Sequence, residues 1–500
     1  MVSSEVQASI GIVVVYLALM FLLAFVSYRR RETGDIDEYF IMGRELTPII
    51  GMLTMFATFQ SGFFMFGAPG VFYALGFPFM VALLIEVPLI TVFIWFFGAR
   101  IWVMGKKYGH YTVTRLFGHY YDSTGVRLAI VAMTVVFLIL YIDVQLIAGG
   151  LALESVTQGL ISYEVGVVLM GILVAGYTLL GGFRAVTWTD SVQGFLFFAG
   201  VWVLAVWFLV RHGGVGGFFG DLVAEYPNAL SRGGFAGIPI QTFIWTNLAF
   251  VFGAIVTFPV LPMFTRRIMA AEDLPSLRKM AVGAGGISLV GFVGLVILAF
   301  GIKMAMPGIQ DTDAVVPTFV TDTFPILGAA YISAAIAAMM STSDSLLITT
   351  ASTVVDDFYR PQVRPEASGT HLERIAWATI VAVIAVAIVI GTIRPGFIVG
   401  ITFVALGGFI PLVWALFGML FWRGATSEGV LASIVVSTAL IFWIKYLGAP
   451  VPRFTSGFDF LLYAFPISLL VFVGVSLVTS GTAPEENVET AQQLFQDYLP

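Results

Sequence analysis

The sequence contains no cysteine, and only 11% of its residues are charged. The absence of cysteine excludes disulfides, iron–sulfur clusters, cysteine zinc sites and thiol nucleophiles. The four histidines all fall in polar connections without metal-ligand spacing, so a histidine metal centre is not expected: His110, His119, His212 and His371. A formal net charge of -6 without a basic tract gives nucleic-acid binding no electrostatic support.

Apolar residues are abundant instead, at 59% of the chain with a mean hydropathy of +0.97. Since a membrane span needs roughly 20 mostly apolar residues, the sequence predicts an all-α polytopic membrane protein with about thirteen spans. The predicted spans are residues 9–28, 46–74, 77–104, 127–153, 165–180, 185–210, 241–264, 280–306, 327–355, 375–392, 395–421, 429–446 and 460–478. We therefore expect one transmembrane domain over residues 1–480 and an acidic cytoplasmic tail over residues 481–500.

Lysine and arginine predict the orientation, because they gather on cytoplasmic connections. With an external N-terminus, the connections expected outside hold a minority of the 24 basic residues: Arg211, Arg232, Lys303, Arg394, Lys445 and Arg453. The resulting bias of about three to one predicts an external N-terminus and a cytoplasmic C-terminus. The first apolar run follows a segment without lysine or arginine, so it is expected to be a retained span and not a signal peptide.

The second and seventh spans are rich in residues that interrupt helices. The second contains Gly62, Gly67, Pro69 and Gly70, and the seventh contains Gly253, Pro259 and Pro262. Ordinary proline kinking is one interpretation. The other follows from position, because these would be the first helices of two five-helix repeats, spans two to six and seven to eleven. An odd number of helices inverts the second repeat, and matched interruptions in inverted repeats point to a transporter binding site.

The ninth span carries a run of polar residues, Ser341 to Ser345, far from either of its ends. One interpretation is a tightly packed helix interface whose hydroxyls bond their own carbonyls. The alternative is that hydroxyls one turn apart, with a carbonyl below them, form half of a site for a small hard cation. The carboxyl group of Asp344 within a span favours a functional role.

Three segments resemble the sodium:solute symporter family, whose members include proline, pantothenate, sialic-acid, monocarboxylate and sugar symporters. They are AAIAAMMSTSDSLL in the ninth span, GGFRAVTWTDSVQG at the start of the sixth, and YFIMGRELTP before the second. They occur in the family's order, and the thirteen-span topology is similar. The resemblance implies the leucine-transporter inverted-repeat fold and secondary active transport driven by an inward sodium gradient.

The resemblance also implies a sodium site. Its ligands would be the carbonyls of Ala57, Gln60 and Ala338 and the hydroxyls of Ser341 and Thr342. Five neutral oxygens suit reversible binding of a monovalent ion, whereas calcium would favour carboxylates.

For the solute, the resemblance implies side chains at the second-span break, on the fourth span and on the seventh: Ser61, Gly62, Phe63, Tyr141, Gln145 and Phe258. Helix–helix hydrogen bonding is an alternative role for the polar members. Phe59 and Phe258 depart from the family, which often has a polar residue at the first position and tyrosine at the second. Glu86 and Asp143 are further intramembrane carboxyl groups, each either functional or structural.

Asp190 has two interpretations. It is either an N-cap of the sixth span or, by resemblance, part of a second sodium site or sodium exit path together with Asp344 and Ser345. Two nearby carboxylates would need a cation or a proton between them.

The sequence therefore predicts a sodium-coupled symporter that carries a small organic solute, a carboxylate or an amino acid, through the cell membrane of a prokaryote. Proton coupling and a transporter-like solute sensor are the alternatives. An enzyme is not expected, because no nucleophile–base pair is evident.

Overall fold

The computed structural model describes residues 3–30, 46–253, 255–455, 457–479, 487, 489 and 493. Among them the regular structure is helical, apart from one isolated bridge between Leu46 and Ala271. The predicted tail 481–500 lies outside these residues except for three positions, as does most of the YFIMGRELTP motif.

The described helices match the predicted spans in order. Eleven are long and apolar enough to cross a membrane, and the broken pair of the second span adds a twelfth. A shorter apolar helix, Tyr163–Leu179, corresponds to the predicted fifth span. The spans comprise Ser4–Arg30, Pro48–Phe59 with Phe63–Leu75, Phe77–Tyr108, Thr124–Val156, Tyr163–Arg211 for the fifth and sixth, Ile240–Ala270, Leu274–Ala305, Pro325–Val363, Gly369–Ile393, Ile398–Phe421, Ser427–Lys445 and Asp459–Val478.

The fifth and sixth spans are assigned helical structure continuously from Tyr163 to Arg211. A straight helix would separate Tyr177 from Thr189, twelve residues later, by about 18 Å along its axis. The Tyr177 hydroxyl nevertheless donates a hydrogen bond to Thr189 Oγ1. The chain is therefore sharply bent between Tyr177 and Thr189.

Polar caps and glycine fix where several spans begin and end. Ser123, Ser162 and Asp273 each accept a hydrogen bond from an amide in the first turn of the helix that follows. Gly76 ends the second span at φ 76°, a conformation that favours glycine, and Pro78 follows in the first turn of the third span.

Spans of the second repeat pack on spans of the first. The eighth span packs on the second and third, while the ninth packs on the fourth, fifth and tenth. We call the side that carries Lys106 and Arg115 the basic face and the side that carries Arg394 and Lys445 the opposite face. The second span is interrupted after Phe59, and the seventh changes from the α-helix Ile240–Gly253 to a 3-10 helix over Ile255–Val260 before the helix Pro262–Ala270.

Candidate functional site

The second span is broken at its centre. Helix Pro48–Phe59 ends, Gln60 adopts an extended backbone with φ -80° and ψ 109°, and a π-turn starts at Phe63. The two halves are bent by 58°. Because the last carbonyls of a helix lack the amide one turn ahead, the oxygens of Ala57 and Gln60 are available to a ligand. This confirms a genuine interruption and not a smooth kink.

The ninth span lies against this break with its hydroxyl run. Thr342 Oγ1 lies 2.9 Å from the carbonyl oxygen of Gln60 and 3.1 Å from that of Ala338. Ser341 Oγ is buried beside the Asp190 carboxylate, and it makes no hydrogen bond of good geometry with the described residues. The two helices thus bring three neutral oxygens into mutual contact, with a fourth one residue away.

We call Ala57, Gln60, Ala338, Ser341 and Thr342 the oxygen cage. Three of these residues meet through the Thr342 hydroxyl. Ala57 lies one turn before Gln60, and its carbonyl accepts the Gln60 amide at 3.1 Å. The donor set consists of carbonyl and hydroxyl oxygens, the ligand type that hard cations prefer. The residues present therefore fit sodium as the transported ion.

A small cavity lies beside the break, with a volume of about 10 Å³, on the order of one water molecule. Four residues that the sequence indicated line it: Phe63, Glu86, Tyr141 and Phe258. The others were not predicted: Phe59, Phe64, Phe264, Thr402, Phe403 and Leu406. The one sequence signal for the eleventh-span side is the Thr402 hydroxyl within a strongly apolar helix.

Phenyl rings form most of the wall of this central cavity. Phe59 stacks on Phe258 with ring centroids 5.0 Å apart, and Phe264 lies 4.8 Å from Phe59. Phe63 contacts Phe403 at 6.1 Å. The two family departures, Phe59 and Phe258, are therefore paired with each other and present aromatic faces where polar groups were expected.

Gln145 and Gly62 meet at the break. Gln145 Oε1 accepts the Gly62 amide at 2.7 Å, while its Nε2 donates to the Tyr141 carbonyl at 3.2 Å. Gln145 thus satisfies the broken backbone and does not line the central cavity. Ser61, also at the break, is fully buried.

Asp143 lies apart from the central cavity, although it is close in sequence to Tyr141. It is fully buried, and neither carboxyl oxygen has a hydrogen-bond partner among the described residues. A Cβ atom added to Gly391 of the tenth span would lie 2.8 Å from its Oδ1.

Asp190 is placed on the basic-face side of the oxygen cage. Its Oδ2 accepts hydrogen bonds from Thr54 Oγ1 at 2.5 Å and from Arg267 Nη2 at 2.9 Å. Arg267 Nη2 also donates to Ser345 Oγ at 2.8 Å. These bonds join different spans, and the Oδ1 atom of Asp190 has no hydrogen-bond partner, so no capping bond from Asp190 to a backbone amide is present among the described residues. Asp190 and Ser345 thus meet through Arg267, whose burial the sequence did not indicate.

Asp344 points elsewhere. Its Oδ1 accepts a hydrogen bond from Thr178 Oγ1 of the fifth span at 2.5 Å. Its Oδ2 has no hydrogen-bond partner among the described residues.

A second, larger pocket opens on the opposite face, with a volume of about 230 Å³. Phe79, Phe250, Phe397 and Phe458 are among its lining residues. Phe250 stacks on Phe403 with ring centroids 4.3 Å apart, and Phe403 belongs to the wall of the central cavity. This stacked pair separates the pocket from the central cavity.

Comparison with known proteins agrees with this arrangement. The model of the sodium:solute symporter family matches residues 39–437. The sodium/pantothenate symporter of Haemophilus influenzae is 27% identical over 488 residues, covering 96% of this chain and 97% of that protein. The high-affinity proline transporter PutP of Bacillus subtilis is 28% identical over 500 residues, with 96% and 100% covered.

A solved structure shares the fold. The substrate-bound, outward-open structure of a Na⁺-coupled sialic acid symporter superposes with a TM-score of 0.78 at 16% identity, covering 94% of this chain and 97% of that one. The fold is the leucine-transporter-like arrangement of inverted repeats that the family resemblance implied. With a family match over most of its length, this chain belongs to the sodium:solute symporter family and is a sodium-coupled symporter of the membrane.

Proposed function

We propose that this symporter binds sodium in the oxygen cage and carries a small zwitterionic amino acid through the central cavity. The contact of the Thr342 hydroxyl with the carbonyls of Gln60 and Ala338 supports the sodium site most directly. It joins the broken second span to the ninth span at a point where neutral oxygens converge.

The chemistry of the central cavity supports the solute class. The Glu86 carboxyl group and the Tyr141 phenol are among the few polar groups on its wall, and the rest of the wall is mainly phenyl rings. Aromatic faces and a carboxylate both favour a cationic nitrogen. The helix that restarts after the break presents the positive end of its dipole, which favours a carboxylate. An amino acid carries both groups.

The solutes of related transporters help to choose between solute classes. The relatives include transporters of proline and of pantothenate. Proline has a protonated amine and a compact apolar ring, whereas pantothenate is an anion without a protonated nitrogen. A protonated amine would give the buried Glu86 carboxyl group the cationic partner that it needs to be ionised, and pantothenate offers none, so we favour the amino acid.

Sodium and solute binding would be coupled through the break. Ala57 and Gln60 supply cage oxygens at one end of the interruption, and Phe63 at the other end lines the central cavity. Sodium bound to the carbonyls of Ala57 and Gln60 would also fix the position of Phe63. By the same free energy, the bound solute would strengthen sodium binding.

The membrane orientation belongs to the same proposal. We place the N-terminus outside and the C-terminus in the cytoplasm of a prokaryotic cell, with the basic face inward, so that the sodium gradient drives uptake.

Uptake into proteoliposomes tests the solute class. The panel is proline, other small amino acids, glycine betaine, pantothenate and sialic acid, with a sodium gradient, a lithium gradient or a proton gradient imposed separately. We expect sodium-driven accumulation of proline or a similarly compact amino acid, and no competition by pantothenate.

Glu86→Gln should raise the half-saturating amino-acid concentration about tenfold to a hundredfold, the loss expected for a charged hydrogen bond. Glu373→Gln, which alters a buried glutamate of the tenth span outside the cavity wall, is the matched control. Sodium-driven uptake of pantothenate without amino-acid uptake would overturn the solute class and leave the sodium cage standing.

A further inference from the structure

Arg267 is an arginine without contact to solvent in the middle of a membrane protein. It lies on the short helix Pro262–Ala270, which follows the break of the seventh span, and its side chain is completely buried. Its guanidinium donates to Asp190 Oδ2, Ser345 Oγ and Thr54 Oγ1 from three different spans. A buried guanidinium is stable only when it is paired and hydrogen-bonded in this way.

The groups that hold this guanidinium are oxygen ligands of the kind that bind a metal cation. They are one carboxylate and two hydroxyl groups, and they lie next to the oxygen cage. Ser345 is one helical turn from Ser341, and its hydroxyl donates to the Ser341 carbonyl at 3.0 Å. Without Arg267, the Asp190 carboxylate would be a buried, uncompensated charge and would attract a cation from the cage side.

The neighbouring arginine serves a different place. Arg266 is also buried, but it donates to Ser352 Oγ and lies near the Ile348 carbonyl, one to two turns further along the ninth span. Arg266 is therefore a built-in control, equal in charge and burial but engaged at another cluster.

We propose that the Arg267 guanidinium is the resident cation of the Asp190 position, and that it limits this symporter to one bound sodium ion per molecule. The proposal rests on the sodium cage assigned above, because that cage is the site left for sodium. Without the arginine, the carboxylate and hydroxyl groups that now hold its guanidinium would bind a second sodium ion.

The consequence concerns energy coupling. A symporter that moves two sodium ions with each solute concentrates the solute more steeply than one that moves a single ion. A fixed guanidinium supplies the positive charge at Asp190 without being transported, so the charge moved per cycle is smaller by one.

Equilibrium binding of radioactive sodium to the purified full-length protein measures the number of sites, with sodium alone as the probe and choline to hold ionic strength constant. We expect one sodium ion per wild-type molecule and two per Arg267→Gln molecule. The additional ion should disappear in the double variant Arg267→Gln/Asp190→Asn. Arg266→Gln should still bind one.

Several results would overturn the proposal. One is a wild-type protein that binds two sodium ions, regardless of which substitution, Asp190→Asn or Asp344→Asn, removes the second ion. This measurement uses the wild-type protein, so it remains decisive even if Arg267→Gln does not fold. Another is a folded Arg267→Gln protein that still binds one ion. Thr342→Ala separates the two ideas, since unchanged sodium binding in that variant contradicts the cage while leaving the Arg267 result intact.

Discussion

The hydroxyl groups of the ninth span divide into two kinds. Ser343, Thr349 and Thr350 each donate to the carbonyl one turn earlier, at 2.6 to 2.8 Å, as is usual for hydroxyls inside helices. Thr342 reaches its own Ala338 carbonyl and also Gln60 on another span, and Ser341 makes no such bond. The back-bonded hydroxyls fit the interface interpretation of this helix, whereas Thr342, which reaches the break, is the hydroxyl on which the proposed cation site depends.

Removing the Thr342 hydroxyl should weaken sodium binding selectively. Thr342→Ala takes one oxygen from the cage, a loss of roughly 1 to 3 kcal/mol. We expect the half-saturating sodium concentration for uptake to rise by about tenfold or more. Thr350→Ala, which removes a buried back-bonded hydroxyl two turns away, should leave it unchanged. Equal sodium dependence in both variants would contradict the cage.

Individual residues differ in how far the sequence could identify them. The cage residues were named in advance through the resemblance to the sodium:solute symporter family, which the hydroxyl run of the ninth span and the interrupted second span accompany. Arg267 was counted as an ordinary basic residue of a connection, since nothing local shows that its partners lie on the second, sixth and ninth spans. Phe64, Phe264 and Phe403 of the cavity wall were missed for the same reason, because one apolar side chain looks like another until the helices are packed.

At the level of elements, hydropathy located the spans to within a few residues, and glycine and proline marked both breaks. Two features were not predicted. The ninth span continues as a π-helix over Thr353–Val363, and the eleventh is interrupted between Ile398–Gly407 and Ile410–Phe421. The π-helix has no such local signal, whereas the interruption of the eleventh span coincides with Gly407, Gly408 and Pro411, a glycine and proline pattern that could have indicated it.

The half of the second span that follows the break packs against a short turn on the opposite face. The turn Thr312–Ala314 is held by Arg394, which forms ion pairs with Asp311 at 2.9 Å and Asp313 at 3.1 Å. A Cβ atom at Gly70 would lie 1.9 Å from the Thr312 carbonyl oxygen, so only glycine permits this approach.

Gly70→Ala should therefore displace the turn and slow transport. Steric overlap of this size in a packed site costs on the order of 1 to 3 kcal/mol, and we expect the uptake rate to fall about fivefold or more while sodium affinity changes little. Gly286→Ala, where nothing lies within 4 Å of the added carbon, is the matched control. Uptake by Gly70→Ala at the wild-type rate would show that transport does not depend on the close contact between the second span and the Thr312–Ala314 turn.

For the whole molecule, the central cavity is closed in both directions. The Phe250–Phe403 stack lies toward the opposite face, and the Asp190–Arg267 pair lies toward the basic face. We therefore expect each of these two contacts to separate in turn during transport. The aromatic barrier is held by ring contacts of about 1 kcal/mol each, whereas the ion pair is fully desolvated, so the two barriers open against interactions of different kinds.

The orientation of the molecule in the membrane decides which of the two contacts faces the outside and which faces the cytoplasm. The absence of cysteine allows single cysteines to be introduced without background labelling. An impermeant thiol reagent added to intact cells should label Ser4→Cys and Asn228→Cys, on the opposite face, because lysine and arginine keep the basic face in the cytoplasm. Gln362→Cys, at the exposed end of the ninth span, should react only after the membrane is permeabilised. If intact cells label Gln362→Cys but neither Ser4→Cys nor Asn228→Cys, the topology is the inverse of the one predicted. The Asp190–Arg267 pair would then lie toward the outside and the aromatic stack toward the cytoplasm.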